Sequence, residues 1–210
     1  MIEGYSHISF DLDGTLVGTR AEYRHQIIPP IIKELGGSCD DPESIDRFWF
    51  EIGRSKIIKE EFRIDPEKFW QRFREVDPPV RRAEFTTAYP DVKNALGRLK
   101  ILGKKISVIT GSPASIAKAE LEKLGSIEFD HICSIHDEGF REKPAPDGMH
   151  DTLKKLGEQA SETLYIGNGM EDALFAEAAG CGFIFLNRNE YTFPNSQKLT
   201  SIETLHQLFL

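Results

Sequence analysis

Short apolar runs alternate with longer amphipathic stretches along most of this chain of 210 residues. The short runs predict buried strands, because they are bounded by glycine and polar residues. Besides the run around Ile8, they lie at 106–109, 131–135, 163–166 and 181–186. The stretches between them repeat apolar residues every three or four positions and predict helices. These helices lie at 91–102, 113–124, 146–156 and 170–179. Such alternation predicts an α/β fold, a parallel sheet covered by helices on both faces.

Residues 18–85 have a different pattern, in which apolar residues recur at helical spacing and no convincing strand is present. Asp65 and Pro66 predict the start of one helix, as an N-cap followed by a first-turn proline. We therefore predict a discontinuous α/β domain at 1–17 and 86–210, interrupted after its first strand by an all-helical unit at 18–85.

Composition restricts the classes of function. The formal net charge of −8 argues against a broad nucleic-acid surface. The three cysteines show no spacing typical of disulfides or zinc sites. No apolar run approaches the roughly 20 residues that span a bilayer, and the first strand begins too early for a signal peptide. We expect a soluble, reduced, cytoplasmic protein with no nucleic-acid or membrane partner.

Two acidic residues, Asp11 and Asp13, follow the first apolar run, and Gly14 comes next. In an extended segment both carboxylates project to the same side, where they need a cation or a shared proton. Gly14 lets the backbone turn without a Cβ that would obstruct a ligand. An ordinary Asp-Gly turn is an equally good interpretation of this stretch alone.

Other polar residues follow later strands or precede a helix, and ligands of open parallel sheets bind beyond the carboxyl ends of the strands. Thr110 ends the second main strand, Lys143 precedes a proline-initiated helix, and Asn168 and Asp172 follow a further strand. Each has an ordinary structural explanation: a turn, a solvated lysine or a first-turn acid. Their joint occurrence in this order favours a functional site.

The chemistry that these residues suggest is phosphoryl transfer. A carboxylate such as Asp11 can attack phosphorus and form an aspartyl-phosphate, and Asp13 is placed to act as general acid and base. Mg²⁺ would supply the positive charge that attack on an anion requires. Thr110 and neighbouring amides could hold phosphate oxygens, and Lys143 would neutralise developing charge.

These motifs resemble the four motifs of the haloacid dehalogenase-like superfamily. The nearest branch is the phosphoglycolate phosphatase and β-phosphoglucomutase group, which inserts a helical cap after the first motif. The resemblance implies a Rossmann-like core, Mg²⁺-dependent phosphate transfer, Asp11 as nucleophile and Asp13 as acid/base and metal ligand. It also implies substrate contacts in the first and second motifs, for which the candidates are Gly14, Thr15, Gly111 and Ser112.

The fourth motif departs from the family pattern, because Asn168 stands where an acid is usual. Asn168 and Asp172 are four residues apart, and we expect both to lie on one helix face, where either could reach the metal. Asn168 could equally be a helix N-cap. We expect Asp172 to take over as metal ligand with Asn168 assisting, and metal binding to be weaker.

Substrate choice is expected to come from the helical unit. Arg54 and Lys56 resemble a cap loop facing the active site and could hold an anionic group of the substrate. A solvated basic face is the favoured interpretation, since Glu51, Glu60 and Glu61 lie nearby. Lys56 also keeps a phosphonate hydrolase with a Schiff-base lysine in consideration.

The sequence therefore predicts a Mg²⁺-dependent phosphatase of a small phosphorylated metabolite, monomeric or weakly dimeric. A phosphomutase remains an alternative, as does a weakly active metal- or phosphate-binding regulator, which the asparagine at position 168 suggests.

Overall fold

A computed structural model describes all residues from 1 to 210. The chain divides into two compact units: Met1–Gly18 together with Thr87–Leu210, and Thr19–Thr86. The first unit holds a six-stranded sheet, and the second is helical. The predicted α/β class is confirmed.

Every strand pairing in the main sheet is parallel. Its strands are β1 (His7–Phe10), β4 (Lys105–Thr110), β5 (His131–Ser134), β6 (Thr163–Gly167), β7 (Gly182–Leu186) and β8 (Ser201–Ile202). They are arranged in the order β5-β4-β1-β6-β7-β8, which places β1 between β4 and β6. The carboxyl ends of these three strands therefore meet at one edge of the sheet.

Each face of the sheet has its own hydrophobic core. Alternate residues of a strand point to opposite faces, so Ile166 joins one core cluster while its neighbour Tyr165 joins the other. Four helices belong to this unit: α6 (Val92–Ile101), α7 (Ala114–Leu121), α8 (Asp147–Leu156) and α9 (Met170–Ala179). Their bounds agree with the predicted helices to within a few residues. The one larger difference is at 122–124, where the end of the predicted helix is a 3₁₀ turn.

The helical unit is organised around aromatic side chains. Its helices are α1 (Ala21–Glu34), α2 (Glu43–Phe50), α3 (Arg54–Glu60), α4 (Pro66–Val76) and α5 (Pro79–Phe85). The ring of Phe48 lies within 6.0 Å of four others, those of Phe62, Phe69, Trp70 and Phe73. The predicted start of α4 is confirmed, because the Asp65 carboxylate accepts hydrogen bonds from the N–H groups of Glu67 and Lys68. None of the helices is long and apolar enough to cross a membrane.

Three short strands differ from the sequence expectation. The segments that join the two units form β2 (Val17–Thr19) and β3 (Thr86–Ala88), a two-stranded sheet in a region where no strand was expected. The two-residue strand β8 is also unpredicted. Strands of two or three residues show no recognisable alternation, because that pattern needs at least four positions.

A buried polar ladder crosses the centre of the sheet. The imidazole of His7 on β1 lies 2.8 Å from Ser107 Oγ on β4 and 3.1 Å from Thr163 Oγ1 on β6. All three side chains are inaccessible to solvent. Burial lowers the pKa of His7 to about 4, so this histidine is neutral at physiological pH.

Candidate active site

A buried lysine joins residues from three separate segments at the carboxyl edge of the sheet. Lys143 Nζ lies 2.7 Å from Asp11 Oδ1 and 3.0 Å from Asp172 Oδ1. Asp11 directly follows β1, Asp172 lies in the first turn of α9, and Lys143 belongs to the segment before α8. All three residues are at least nine-tenths buried. The structure therefore brings together three of the predicted site residues.

Tyr165 completes the surroundings of this lysine and was not anticipated. Its hydroxyl lies 2.6 Å from Lys143 Nζ and 3.2 Å from the carbonyl oxygen of Ile109, to which it donates. The rings of Tyr165 and Phe175 also lie 5.2 and 5.4 Å from the ammonium. A tyrosine within an apolar strand is typical of a core residue, so the sequence carries no signal for this role.

The electrostatics of the cluster follow from its burial. Burial raises the pKa of Asp11 to about 7, against the attraction of Lys143, and the charges of Asp172 and Asp13 raise it further. Burial alone would lower the pKa of Lys143, but Asp11 and Asp172 hold it well above its usual value. The lysine is therefore charged in the folded protein.

The segment after β1 turns back on itself at Gly14, as predicted. Gly14 has a φ of +77°, and a Cβ there would lie 2.0 Å from Asn168 Nδ2. The carbonyl oxygen of Leu12 accepts from the N–H groups of Thr15, Leu16 and Val17 and closes the turn. Glycine is required at position 14 on both counts, the left-handed backbone and the close approach of Asn168.

Thr15, the last residue of the first motif, faces Asn168 of the fourth motif. Its Oγ1 is 3.4 Å from Asp11 Oδ2 and also 3.4 Å from Asn168 Oδ1. The hydroxyl has one hydrogen and can donate to only one of these oxygens at a time. Asp11 and Asn168 therefore present oxygen atoms to the same small region.

Asp13 is held by the second motif. Ser112 Oγ donates to Asp13 Oδ2 over 2.8 Å, and the carbonyl oxygen of Ser112 accepts from Ser134 Oγ, also over 2.8 Å. The N–H of Ser112 donates to Thr110 Oγ1, which leaves the hydroxyl hydrogen of Thr110 available for another acceptor. Gly111, between them, is exposed, and no atom approaches the position of its missing Cβ.

The expectation that Asn168 and Asp172 share a helix face is wrong. Helix α9 begins at Met170 with Gly169 as its N-cap, so Asn168 lies outside the helix and is not its cap. Asp172 accepts from the N–H of Gly169 through Oδ2 and from Lys143 through Oδ1. Both oxygens of Asp172 thus have protein partners, whereas Asn168 lies beside Gly14 and Thr15.

The donor set suits a hard cation that needs few protein ligands. No group of three or more His, Cys, Asp or Glu side chains is arranged to hold a metal by itself. Mg²⁺ in phosphate-processing sites is usually held by one or two carboxylates, with substrate oxygens and water completing its octahedron. The carboxylate of Asp11, the backbone carbonyl oxygen of Asp13 and the amide oxygen of Asn168 match that requirement in charge and atom type.

Arg54 and Lys56 belong to the helical unit, at the start of α3. Lys56 is exposed, and its Nζ lies 3.9 Å from Glu60 Oε2 one helical turn away. This ion pair agrees with the favoured interpretation, a solvated basic face. A role for either residue in substrate binding stays a prediction.

Comparison with known sequences identifies the family. The sequence model of the haloacid dehalogenase-like hydrolases matches residues 5–180. The chain belongs to this family. The resemblance carried by the four motifs, and the conclusion that the protein is an enzyme, are thereby confirmed.

The chain is similar to phosphatases in sequence and to a hydrolase of this family in structure. The phosphoglycolate phosphatase of Yersinia pseudotuberculosis is 34% identical over 186 residues, which are 85% of this chain and 79% of that protein. The phosphoglycolate phosphatase of Aquifex aeolicus is 26% identical and covers 95% of this chain and 97% of its own. A haloacid dehalogenase-like hydrolase from Bacteroides fragilis has the same fold, with a TM-score of 0.83, 24% identity and coverage of 97% and 99%.

Proposed function

We propose that this hydrolase is a Mg²⁺-dependent phosphatase that cleaves a small phosphorylated metabolite through a phosphoaspartate at Asp11. The observation that carries the proposal is the buried ammonium of Lys143, 2.7 Å from Asp11 and 3.0 Å from Asp172. An anionic nucleophile must approach an anionic phosphate here, and a fixed positive charge beside the nucleophile lowers the cost of that approach.

Asp11 supplies the attacking oxygen. Lys143 holds Oδ1, so Oδ2 is the atom that forms the bond to phosphorus as the bond to the leaving oxygen breaks. Asp13, oriented by Ser112, donates a proton to that leaving oxygen. In the second step Asp13 takes a proton from water. The water oxygen attacks phosphorus, the bond to Asp11 breaks, and inorganic phosphate is released.

Uncharged donors hold the phosphate during both steps. The hydroxyl of Thr110 accepts from the Ser112 N–H and keeps its own hydrogen for a phosphate oxygen. The exposed Gly111 segment allows the phosphate to approach the backbone closely, since no side chain intervenes. Gly14 and Thr15 lie beside Asn168 and are the further candidates for contacts with the phosphate.

Asp11, the backbone carbonyl of Asp13 and Asn168 would hold the metal ion. When bound, Mg²⁺ supplies positive charge that offsets the phosphate and the carboxylates. Asn168 would contribute an uncharged amide oxygen. Both carboxylate oxygens of Asp172 already accept hydrogen bonds, one from Lys143 and one from the N–H of Gly169 at the start of α9. We therefore assign Asp172 to positioning the lysine, not to metal binding.

The two relatives described above, both named phosphoglycolate phosphatases, support a proposal for the substrate class. We propose a small phosphorylated carboxylic acid or sugar, with specificity contributed by the helical unit, in which Arg54 and Lys56 are the candidates. The pairing of exposed Lys56 with Glu60 does not favour a Schiff-base lysine, and hence not a phosphonate hydrolase.

A phosphate-release panel tests this function. Phosphoglycolate, sugar phosphates and p-nitrophenyl phosphate are incubated with the protein in Mg²⁺ and in EDTA. The proposal expects release of inorganic phosphate from at least one ester, dependent on Mg²⁺. Isomerisation of a sugar phosphate without release would show a mutase, and metal binding with no turnover of any compound would show a regulator.

A further inference from the structure

A buried arginine outside the four motifs contacts the backbone of the catalytic loop, here defined as residues 11–16. Arg188 follows β7, and its side chain is 7% exposed. Its Nη2 donates to the carbonyl oxygen of Thr15 over 2.8 Å, and its Nε lies 3.3 Å from the same oxygen. No feature of the local sequence around Arg188 indicates this contact.

The guanidinium is itself rigidly held. Its Nη1 lies 3.0 and 2.9 Å from the two carboxylate oxygens of Asp91, and its Cζ lies 4.1 Å from the centre of the Tyr89 ring. Asp91 also accepts from the N–H of Leu205 over 2.7 Å. Burial alone would raise the pKa of Asp91, but Arg188 and the Leu205 N–H hold it below its usual value, so the pair stays ionised.

The Thr15 carbonyl, which Arg188 contacts, belongs to a residue whose side chain lies beside Asp11 and Asn168. The hydroxyl of the same residue lies 3.4 Å from both Asp11 Oδ2 and Asn168 Oδ1. The next carbonyl, that of Leu16, accepts from the N–H of Tyr89. The loop is thus attached at two consecutive carbonyls to the segment 89–91 and to Arg188. A displacement of Thr15 would move the group that faces the proposed attacking oxygen.

We infer that Arg188 is a positioning residue that fixes the catalytic loop through Thr15 and so sets the orientation of the Asp11 carboxylate. Arginine suits this task because its planar fork can bind a carboxylate with one edge and a carbonyl with the other. A lysine has the charge but cannot keep both contacts in one plane. The inference rests on the proposed function, since it assigns Arg188 an effect on the reaction of Asp11.

The test compares Arg188→Met and Arg188→Lys with Arg98→Met. Arg98 is the control, an exposed arginine of the same unit whose Cζ lies 4.2 Å from the centre of the Phe209 ring, away from the catalytic loop. Steady-state hydrolysis of p-nitrophenyl phosphate is measured well below the melting temperature of every variant. For Arg188→Met we expect kcat to fall about 10- to 100-fold with KM changed less than about threefold.

Two further readouts separate positioning from general stability. Added guanidinium should restore part of kcat to Arg188→Met, and Arg188→Lys should lie between Arg188→Met and the unmodified protein. Hydrogen exchange followed by mass spectrometry should show faster exchange in the peptide that contains 11–18 for Arg188→Met and not for Arg98→Met. If Arg188→Met does not fold, Asp91→Asn is used instead, because it weakens the ion pair that holds Arg188 against the Thr15 carbonyl. The same changes in kcat and in hydrogen exchange are then expected, with smaller magnitudes.

The outcomes distinguish this inference from the proposed function. If the unmodified protein releases no phosphate, the proposed function is overturned. The exchange experiment still tests whether Arg188 fixes the catalytic loop. An active protein whose Arg188→Met variant keeps kcat within about twofold, or shows unchanged exchange at 11–18, overturns the role of Arg188 alone. A loss of kcat in Arg98→Met as large as that in Arg188→Met also overturns it.

Discussion

Lys143 and Asp172 form an ion pair of 3.0 Å that is almost fully buried and that also includes Asp11. The single ammonium therefore lies beside two carboxyl groups that are largely shielded from solvent. This arrangement predicts that stability and chemistry both depend on Lys143.

Replacing this lysine should destabilise the fold strongly. Lys143→Met leaves Asp11 and Asp172 without their cation, and breaking a buried ion pair costs about 3–5 kcal/mol of unfolding free energy. Urea unfolding at neutral pH measures the difference. Lys155→Met is the control, because Lys155 pairs with Asp151 at the surface and such pairs contribute about 0–1 kcal/mol. Equal losses in the two variants would contradict the electrostatic account of the site.

Tyr165 should influence turnover more than substrate binding. Tyr165→Phe removes the hydroxyl that lies 2.6 Å from Lys143 Nζ, so the lysine loses one of its three partners and becomes less well oriented. We expect kcat for p-nitrophenyl phosphate to fall about tenfold with little change in KM. Tyr5→Phe, in a half-buried tyrosine at the other core, serves as the control and should keep the kcat of the unmodified protein. A normal kcat in Tyr165→Phe would show that Asp11 and Asp172 alone orient the lysine.

Asn168 should limit the affinity of the site for metal. Asn168→Asp adds a negative charge beside Asp11 and Thr15, which should tighten Mg²⁺ binding on the order of tenfold. The same charge repels Asp11 when no cation is present, so the variant should melt at a lower temperature in EDTA and gain more from Mg²⁺. Asn94→Asp adds the same charge at an exposed position of α6 and is the control. Unchanged Mg²⁺ affinity would place position 168 away from the metal.

The buried imidazole of His7 should make the free energy of unfolding depend on pH. The pKa of this buried imidazole is about 4 in the folded chain and 6.5 in its unperturbed state. Between these values the unfolded chain binds more protons, so lowering the pH favours unfolding. From pH 7.5 to pH 5 the histidine alone should remove about 2 kcal/mol of unfolding free energy. Denaturant unfolding at both pH values measures this.

A glutamine at position 7 cannot titrate, so His7→Gln should reduce the loss between the two pH values by about that amount. Glu158, Asp130, Lys105 and His131 influence the same imidazole and are left in place. His206→Gln, at an exposed position, should keep the pH dependence of the unmodified protein. If His7→Gln and His206→Gln lose stability equally, another group causes the pH dependence.

The sequence predicted the site best where polar residues directly follow or end strands that are neighbours in the sheet. Asp11 directly follows β1, and Thr110 and Gly167 end the neighbouring parallel strands β4 and β6. The polar residues at these three strand ends could therefore be predicted to meet at one edge. The prediction that Asn168 lies on the same helix face as Asp172 was wrong, because α9 begins at Met170 with Gly169 as its N-cap. A sequence pattern cannot locate the first residue of a helix that accurately.

Two contributors to the site could not be predicted at all. Tyr165 occupies a buried strand, where its sequence environment is that of a core aromatic. Arg188 and Asp91 are 97 positions apart and meet only when β7 and α6 have been assembled into the fold. Contacts of this kind depend on side-chain reach in three dimensions, which one sequence does not contain.

The central claim is that Asp11 becomes phosphorylated during turnover. The protein is mixed with a phosphomonoester that it hydrolyses, in the presence of Mg²⁺, and the reaction is stopped with acid before the first turnover is complete. Mass spectrometry of the peptide that contains Asp11 should show one added phosphoryl group, which disappears at later times. Asp11→Asn should fold normally, release no phosphate and carry no such group. Phosphate release without a modified Asp11 peptide, or turnover surviving in Asp11→Asn, would contradict the account.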